Sequence, residues 1–247
     1  MVSAGSTADD SALTGIRVLV VDDDVDLLDS ICDVLESYKA ACVRAHSGPA
    51  GYETFLHERP DVVISDLWMP GGDGFDMIAR IRALPPEQGG LTPAIAISAA
   101  ENAKSAIMAG FHAFTPKPFD VDKLVATLVD FTRPRDDAQS VAPWTLTPLE
   151  PGSLVVTFSG SLRAADIRHM MEALVVHLED RPCAIIADLR RITDFAPSVA
   201  SVAERGAWRL RHRITSCRIV GGSFLARVMV AASAKVLGVP YVLADEL

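Results

Sequence analysis

Residues 62–74 read VVISDLWMPGGDG. Four residues suited to a buried strand run into an aspartate, and a Met-Pro and a cluster of glycines follow. Asp66 by itself is as well explained by a helix cap as by chemistry. Its meaning depends on what the rest of the chain brings to the same edge.

Outward from this stretch, residues 16–132 alternate between two periods. IRVLVV (16–21), ACVRA (41–45), DVVISD (61–66), AIAIS (94–98) and AFTP (113–116) have the apolar, β-branched character of buried strands. Between and after them lie VDLLDSICDVLESY (25–38), GPAGYETFLHE (48–58), GFDMIARIRAL (74–84), NAKSAIMAG (102–110) and DVDKLVATLVDF (120–131). These carry apolar residues at helical spacing, and Asp120 is placed to cap the last one. Five strands alternating with five helices predict an α/β fold, a doubly wound, five-stranded parallel sheet of the flavodoxin-like kind. In that architecture the functional site lies at the carboxyl ends of the strands.

Those ends carry Asp22 and Asp23 after the first strand, Asp66 after the third, Ser98 after the fourth and Lys117 after the fifth. Clustered carboxylates repel one another unless a cation neutralises them. A hard divalent ion such as Mg2+ takes oxygen ligands and keeps several waters, which leaves positions for phosphoryl oxygens. Asp66 is then the candidate nucleophile, with Lys117 and Ser98 placed to stabilise the transferring group.

VLVVDDD, ISDLWMPGGDG, AIAISA and FTPKPF, in this order and spacing, resemble the receiver domain of two-component response regulators over roughly residues 14–132. The resemblance implies Asp66 as the phosphoacceptor. It implies Asp23, Asp66 and the backbone carbonyl of Trp68 as direct Mg2+ ligands, with Asp22 acting through water. Ser98 and Phe114 fill the family's two switch positions, and Lys117–Pro118 matches a bond that is cis in that family. Two positions depart from the usual pattern: Trp68, two residues after Asp66, and Ala100, two after Ser98, offer no polar group to orient a hydrolytic water.

With 247 residues the chain has room for two ordinary domains, and 49% hydrophobic against 22% charged residues describes a globular protein with a core. The opening MVSAGSTADDSALTG has no apolar run of the signal-peptide kind, and residues 1–13 read as a disordered tail. No apolar run reaches the ~18 residues of a membrane span; FLARVMVAASAKVLGV (224–239) is interrupted by Arg227 and Lys235. Cys32, Cys42, Cys183 and Cys217 lack CxxC spacing and read as small core residues of a reducing, cytoplasmic compartment. Residues 1–137 hold 22 acidic and 11 basic side chains, whereas 138–247 hold 10 and 12. That shift, and the proline-rich RPRDDAQSVAPWTLTPLEPG (133–152), place a linker at 135–150 between a first domain at 14–134 and a second at 151–247.

The second half reads as four strands (SLVVTFSG, CAIIADL, SCRIVGG, PYVLADEL) and three helices. VVTFSGSL, AIIADLRRITDF and CRIVGG in this order resemble the STAS superfamily of anti-sigma-factor antagonists and its SEC14-like relatives. The resemblance implies a smaller α/β domain that acts by binding a protein target. Antagonists of that family carry a phosphorylated Asp-Ser pair where this chain has Ala196 and Pro197, so Ser198 reads as a helix cap instead. Arg205, Arg209 and Arg213 form a stripe at i, i+4 and i+8 of one helix, a protein-docking or solvated face rather than a nucleic-acid reader. GGSFLAR (221–227) reads as a tight turn before a helix. His46, His57, His112, His169, His177 and His212 show no metal spacing, and no nucleophile–base pair marks the second half as an enzyme.

The sequence therefore predicts a cytoplasmic bacterial response regulator. It takes a phosphoryl group from a sensor histidine kinase or a phosphotransfer protein, needs Mg2+ and no organic cofactor, and controls a STAS-like domain with a protein target. Its only catalysis is its own phosphotransfer and dephosphorylation. A receiver controlling a nucleotide- or nucleic-acid-binding domain is the other reading.

Overall fold

The computed structural model describes residues 11–70, 73–99, 102–132, 143–178 and 182–245. The chain divides into two compact units, Met1–Ala103 with Ala113–Arg133 and Lys104–His112 with Pro134–Leu247. The first holds a five-stranded parallel sheet in the order β2-β1-β3-β4-β5, formed by β1 (Arg17–Val21), β2 (Ala41–Ala45), β3 (Val62–Asp66), β4 (Ala94–Ser98) and β5 (Ala113–Pro116). Helices α1 (Val25–Ser37) and α5 (Val121–Thr132) pack together on one face; α2 (Gly48–Glu58) and α3 (Gly74–Arg82) pack together on the other. The sheet is thus doubly wound, as its strand–helix alternation predicts. Buried on both faces, its strands are mostly apolar: Val18, Val20, Ile64, Ile95 and Ile97 are enclosed on the side of α1 and α5, and the alternating Leu19, Val21 and Val63 are fully buried as well.

Local chemistry sets the helix starts. Asp24, Ser47 and Asp73 each accept a hydrogen bond from the backbone N–H three residues on, which caps α1, α2 and α3. Asp120 accepts from the Asp122 N–H at 3.0 Å and caps α5 as expected.

The second unit contains α4 (Ala103–Ala109) except its first residue, and a mixed sheet in the order β10-β9-β8-β7-β6. Its strands are β6 (Trp144–Glu150), β7 (Ser153–Leu162), β8 (Cys183–Phe195), β9 (Ile214–Val220) and β10 (Tyr241–Ala244). Only β6 runs antiparallel to its neighbour. Helices α6 (Ala164–Leu178), α7 (Ser198–Leu210) and α8 (Phe224–Val236) contribute to a single core with β7, β8 and β9. In the first unit a short 3-10 turn at Pro86–Gln88 precedes β4.

Five sequence expectations are corrected. Residues 144–150, read as linker, form β6; Pro148, which broke the pattern, is tolerated because β6 is an edge strand, and its register shifts between Pro148 and Glu150. Residues 135–142 of the same stretch lie outside the described residues, as do 1–10 of the expected tail. Ser11–Leu13 are not part of a disordered tail: Leu13 is fully buried, and its N–H donates to the Tyr38 carbonyl at 3.0 Å. Cys32 and Cys42 are not isolated core thiols but a disulfide between α1 and β2, with Cα atoms 5.7 Å apart; packing of the helix on the strand brings them together, which no spacing motif announces. Ser198 does not cap α7. Pro197 takes the cap position with no side-chain hydrogen bond, and Ser198 is buried inside the helix. Finally, α7 ends at Leu210, so Arg213 lies beyond the helix and only Arg205 and Arg209 share it.

The turn before α8 is as expected. Gly221 and Gly222 both have positive φ, +63° and +81°, and a Cβ on Gly221 would collide with the Arg190 side chain. Ser223 then caps α8 by accepting from the Ala226 N–H at 3.2 Å. Ser223→Ala should cost about 1 kcal/mol of stability, and Ser223→Asp should retain most of it. Urea unfolding followed by circular dichroism measures both, and equal midpoints for wild type and Ser223→Ala would contradict the cap.

Candidate functional site

Parallel register brings the carboxyl ends of β1, β3, β4 and β5 to one edge. Val21 pairs with Ser65, Asp66 with Ile97, and Ser98 with Pro116. Each strand is therefore followed at the same level by its loop, and the loops carry the polar groups. In the run of three aspartates after β1, Asp24 is used as the cap of α1, whereas Asp22 and Asp23 face Asp66. One ligand oxygen from each of Asp22, Asp23 and Asp66 lies within 4.8 Å of the others. Asp22 is buried, Asp66 half-buried and Asp23 exposed.

Lys117 holds the cluster together. Its Nζ donates to Asp22 Oδ2 at 2.9 Å and to Asp66 Oδ2 at 2.8 Å. The peptide bond that follows, Lys117–Pro118, is cis, as the resemblance implied. Burial opposes the Lys117 ammonium, but the hydrogen bonds to Asp66 and Asp22 outweigh it and raise its pKa. Burial pushes the Asp22 carboxyl above the usual carboxylate value, although the hydrogen bonds from Lys117 and from the Asp24 N–H pull the other way.

The remaining Asp66 contacts fix its loop. Its Oδ1 accepts from the Leu67 N–H at 2.6 Å and, more weakly, from the Trp68 N–H at 3.4 Å. The Ser65 hydroxyl donates to its carbonyl at 2.6 Å. The loop returns at once, with the Gly74 N–H donating to the Leu67 carbonyl. A Cβ on Gly74 would collide with the Asp66 carbonyl oxygen, so α3 can begin there only with glycine. This role of Gly74 was not read from the sequence; its place at the end of a glycine cluster was the available signal.

Ser98 is buried, and its Oγ accepts from Asn102 Nδ2 at 3.2 Å, a partner read from the sequence only as a helix residue. Phe114 is half-buried on β5, paired in register with Ala96. Trp68 is 60% exposed, with its ring edge-on to Phe75 at 5.4 Å. Ala100 lies outside the described residues. The structure thus brings together Asp22, Asp23, Asp66 and Lys117 in direct contact or close approach, with Ser98 at the same edge; Trp68 turns its indole outward.

Three carboxylates supply the oxygen donors that a hard divalent cation requires, and their spacing fits a shared ion. A single ammonium does not match the charge of three carboxylates, so the site retains an excess of negative charge that favours one.

In the second unit a separate buried cluster escaped the sequence reading. His112 Nε2 lies 3.0 Å from Glu204 Oε2, and the Ser233 hydroxyl donates to Glu204 Oε1 at 3.0 Å. All three are buried. With His112 and Glu204 92 positions apart, no motif could have joined them.

Residues 18–129 match the family model of the response regulator receiver domain. The chain is 35% identical over 116 residues to an uncharacterized 14.6 kDa protein in the sodA1 3' region of Leptolyngbya boryana, covering 46% of this chain and 87% of that protein. It is 31% identical over 133 residues to the response regulator MprA of Mycobacterium avium, covering 51% of this chain and 57% of MprA. Among solved structures, the receiver domain of the Francisella response regulator 1452 is 28% identical with a TM-score of 0.42, covering 47% of this chain and 94% of that one.

The raised pKa of Asp22 makes its charge a cost to the fold. The native state holds this proton more tightly than the unfolded chain, so the stability it contributes is complete below the usual carboxylate pKa and lost as pH rises through the native value. Asp22→Asn keeps an acceptor for the Asp24 N–H and removes the charge. In EDTA at pH 7 the variant should melt a few degrees above wild type, and the gap should close as the pH falls into the acid range. An unchanged or lower melting temperature at pH 7 would show that Asp22 carries no such cost.

Proposed function

The chain belongs to the response regulator family through the receiver domain at residues 18–129, and we propose that Asp66 is its phosphoacceptor. The observation that carries this reading is the double hydrogen bond of Lys117 to Asp22 and Asp66 inside the three-carboxylate cluster. A receiver domain of a two-component system takes its phosphoryl group from a kinase or a phosphotransfer partner. In this chain a carboxylate oxygen of Asp66 attacks the phosphorus. A new O–P bond forms as the bond from phosphorus to the donor breaks, and the leaving group keeps the electron pair. A carboxylate needs no proton removed before it attacks, so no general base is required.

Receiver domains bind Mg2+ through an acidic pocket, and here Asp23, Asp66 and the Trp68 carbonyl would hold it, with Asp22 acting through water. When bound, the ion supplies positive charge against the phosphoryl oxygens. Lys117 supplies a second positive charge from the protein itself, already positioned by the two carboxylates. Ser98, held by Asn102, donates its hydroxyl to one phosphoryl oxygen, and Phe114 on the adjoining strand repacks with it.

The second unit is read as a STAS-like output domain that acts by binding a protein target. Its mixed sheet with α6, α7 and α8 and the order of its motifs support this reading. The buried position of Ser198 argues against serine phosphorylation at the start of α7.

Acetyl phosphate should add one phosphoryl group to the wild type, read by intact mass, and none to Asp66→Asn or in the presence of EDTA. A phosphorylated Asp66→Asn protein, or a reaction indifferent to EDTA, would refute the assignment. The exposed indole of Trp68 has a donor but no acceptor to orient an attacking water, so Trp68→Asn should shorten the phosphoryl lifetime severalfold; each tenfold corresponds to about 1.4 kcal/mol of barrier. An unchanged lifetime would remove Trp68 from the control of hydrolysis.

A further inference from the structure

The second unit contains a cavity of ≈ 160 Å³ between its sheet and the helices α6, α7 and α8. Protein interiors rarely leave voids much larger than a water molecule. Part of the reason lies in the residues facing it: Ala200, Ala203 and Ala207 on α7 and Ala234 on α8 line the space with side chains too short to fill it. Every lining group is uncharged. Its two polar members are disposed of locally. The Ser233 hydroxyl is donated to Glu204 at 3.0 Å, and burial pushes the Cys217 thiol up to about 11, which keeps it neutral.

A water needs two to four polar partners to occupy such a space, and these walls do not offer them. A dry cavity of roughly 150 Å³ lined by Leu, Ile and Phe takes up benzene or xenon. The chemistry here is similar, with one addition. Met170, Met171 and Met229 contribute flexible, polarizable side chains that can follow the outline of a guest.

We propose that this cavity is a binding site for a small uncharged apolar molecule, from benzene to indole in size. An anion or a cation is excluded, because nothing in the walls compensates a buried charge. The site is independent of Asp66 and of the phosphoacceptor assignment. It gives the second unit a ligand of its own.

The test uses the full chain with 13C-methyl methionine and titrates benzene, indole and benzoate. Saturable shifts of the Met170, Met171 and Met229 methyls are expected with benzene or indole, together with a raised melting temperature. Met69 and Met77, in the first unit, should not move, and benzoate should shift nothing. Ala207→Leu and, separately, Ala234→Leu fill the space from two different helices; each should abolish the benzene shift in a protein that still folds by circular dichroism. Absence of saturable shifts in the wild type with both benzene and indole would overturn the proposal, as would benzene shifts that persist undiminished in a folded filled variant.

Discussion

The ammonium of Lys117 sits 2.9 Å from Asp22 and 2.8 Å from Asp66, and the carboxyl edge of the first sheet is arranged around that pair of contacts. A parallel sheet delivers its strand ends to one edge, so the acidic groups after β1 and β3 are neighbours by topology. Left alone they would repel. The lysine after β5 arrives from the far side of β4, and its charge makes the proximity tolerable without cancelling it. What remains is a site of excess negative charge, partly buried, built from oxygen donors. Such a site is receptive to a hard cation and, through it, to phosphoryl oxygens.

The backbone around Asp66 shows how tightly that arrangement is held. Two consecutive N–H groups point at Oδ1, and the start of α3 presses against the Asp66 carbonyl where only glycine fits. These are short-range constraints, set within eight residues of Asp66. The longer-range ones are apolar. Val18, Val20, Ile64, Ile95 and Ile97 pack one face of the sheet against α1 and α5, in a register that sets Val21 beside Ser65 and Asp66 beside Ile97.

The second unit solves a different problem. Its sheet shares one core with α6, α7 and α8, that core lines an apolar cavity, and a buried polar cluster meets the cavity at Ser233. His112, Glu204 and Ser233 satisfy one another in a place that would otherwise penalise each of them. By occupying the Ser233 hydroxyl, Glu204 also leaves the cavity wall beside it without a donor for water. Polarity and its absence are thus arranged within one side chain's length.

The first sheet and its site were legible in the sequence because their determinants are local. Short, mostly apolar strands, capped helices and polar strand ends repeat in an order that allows one doubly wound sheet, and that sheet puts Asp22, Asp23, Asp66, Ser98 and Lys117 at one edge. The identity of Asp24 as a cap rather than a ligand, the Asn102 partner of Ser98 and the obligatory Gly74 required coordinates, since each depends on a direction rather than on a spacing. Strand β6 was hidden because edge pairing tolerates the proline that breaks its hydrophobic pattern. The Cys32–Cys42 disulfide, the burial of Ser198, the His112–Glu204 pair and the cavity were hidden for a further reason. They are made by residues that come from different elements or face a helix's interior side, and only packing decides which atoms meet there. The sequence by itself determined which groups stand at the end of each strand; tertiary structure decided which of them touch, because contact in a folded core is set by the fit of surfaces that are remote along the chain.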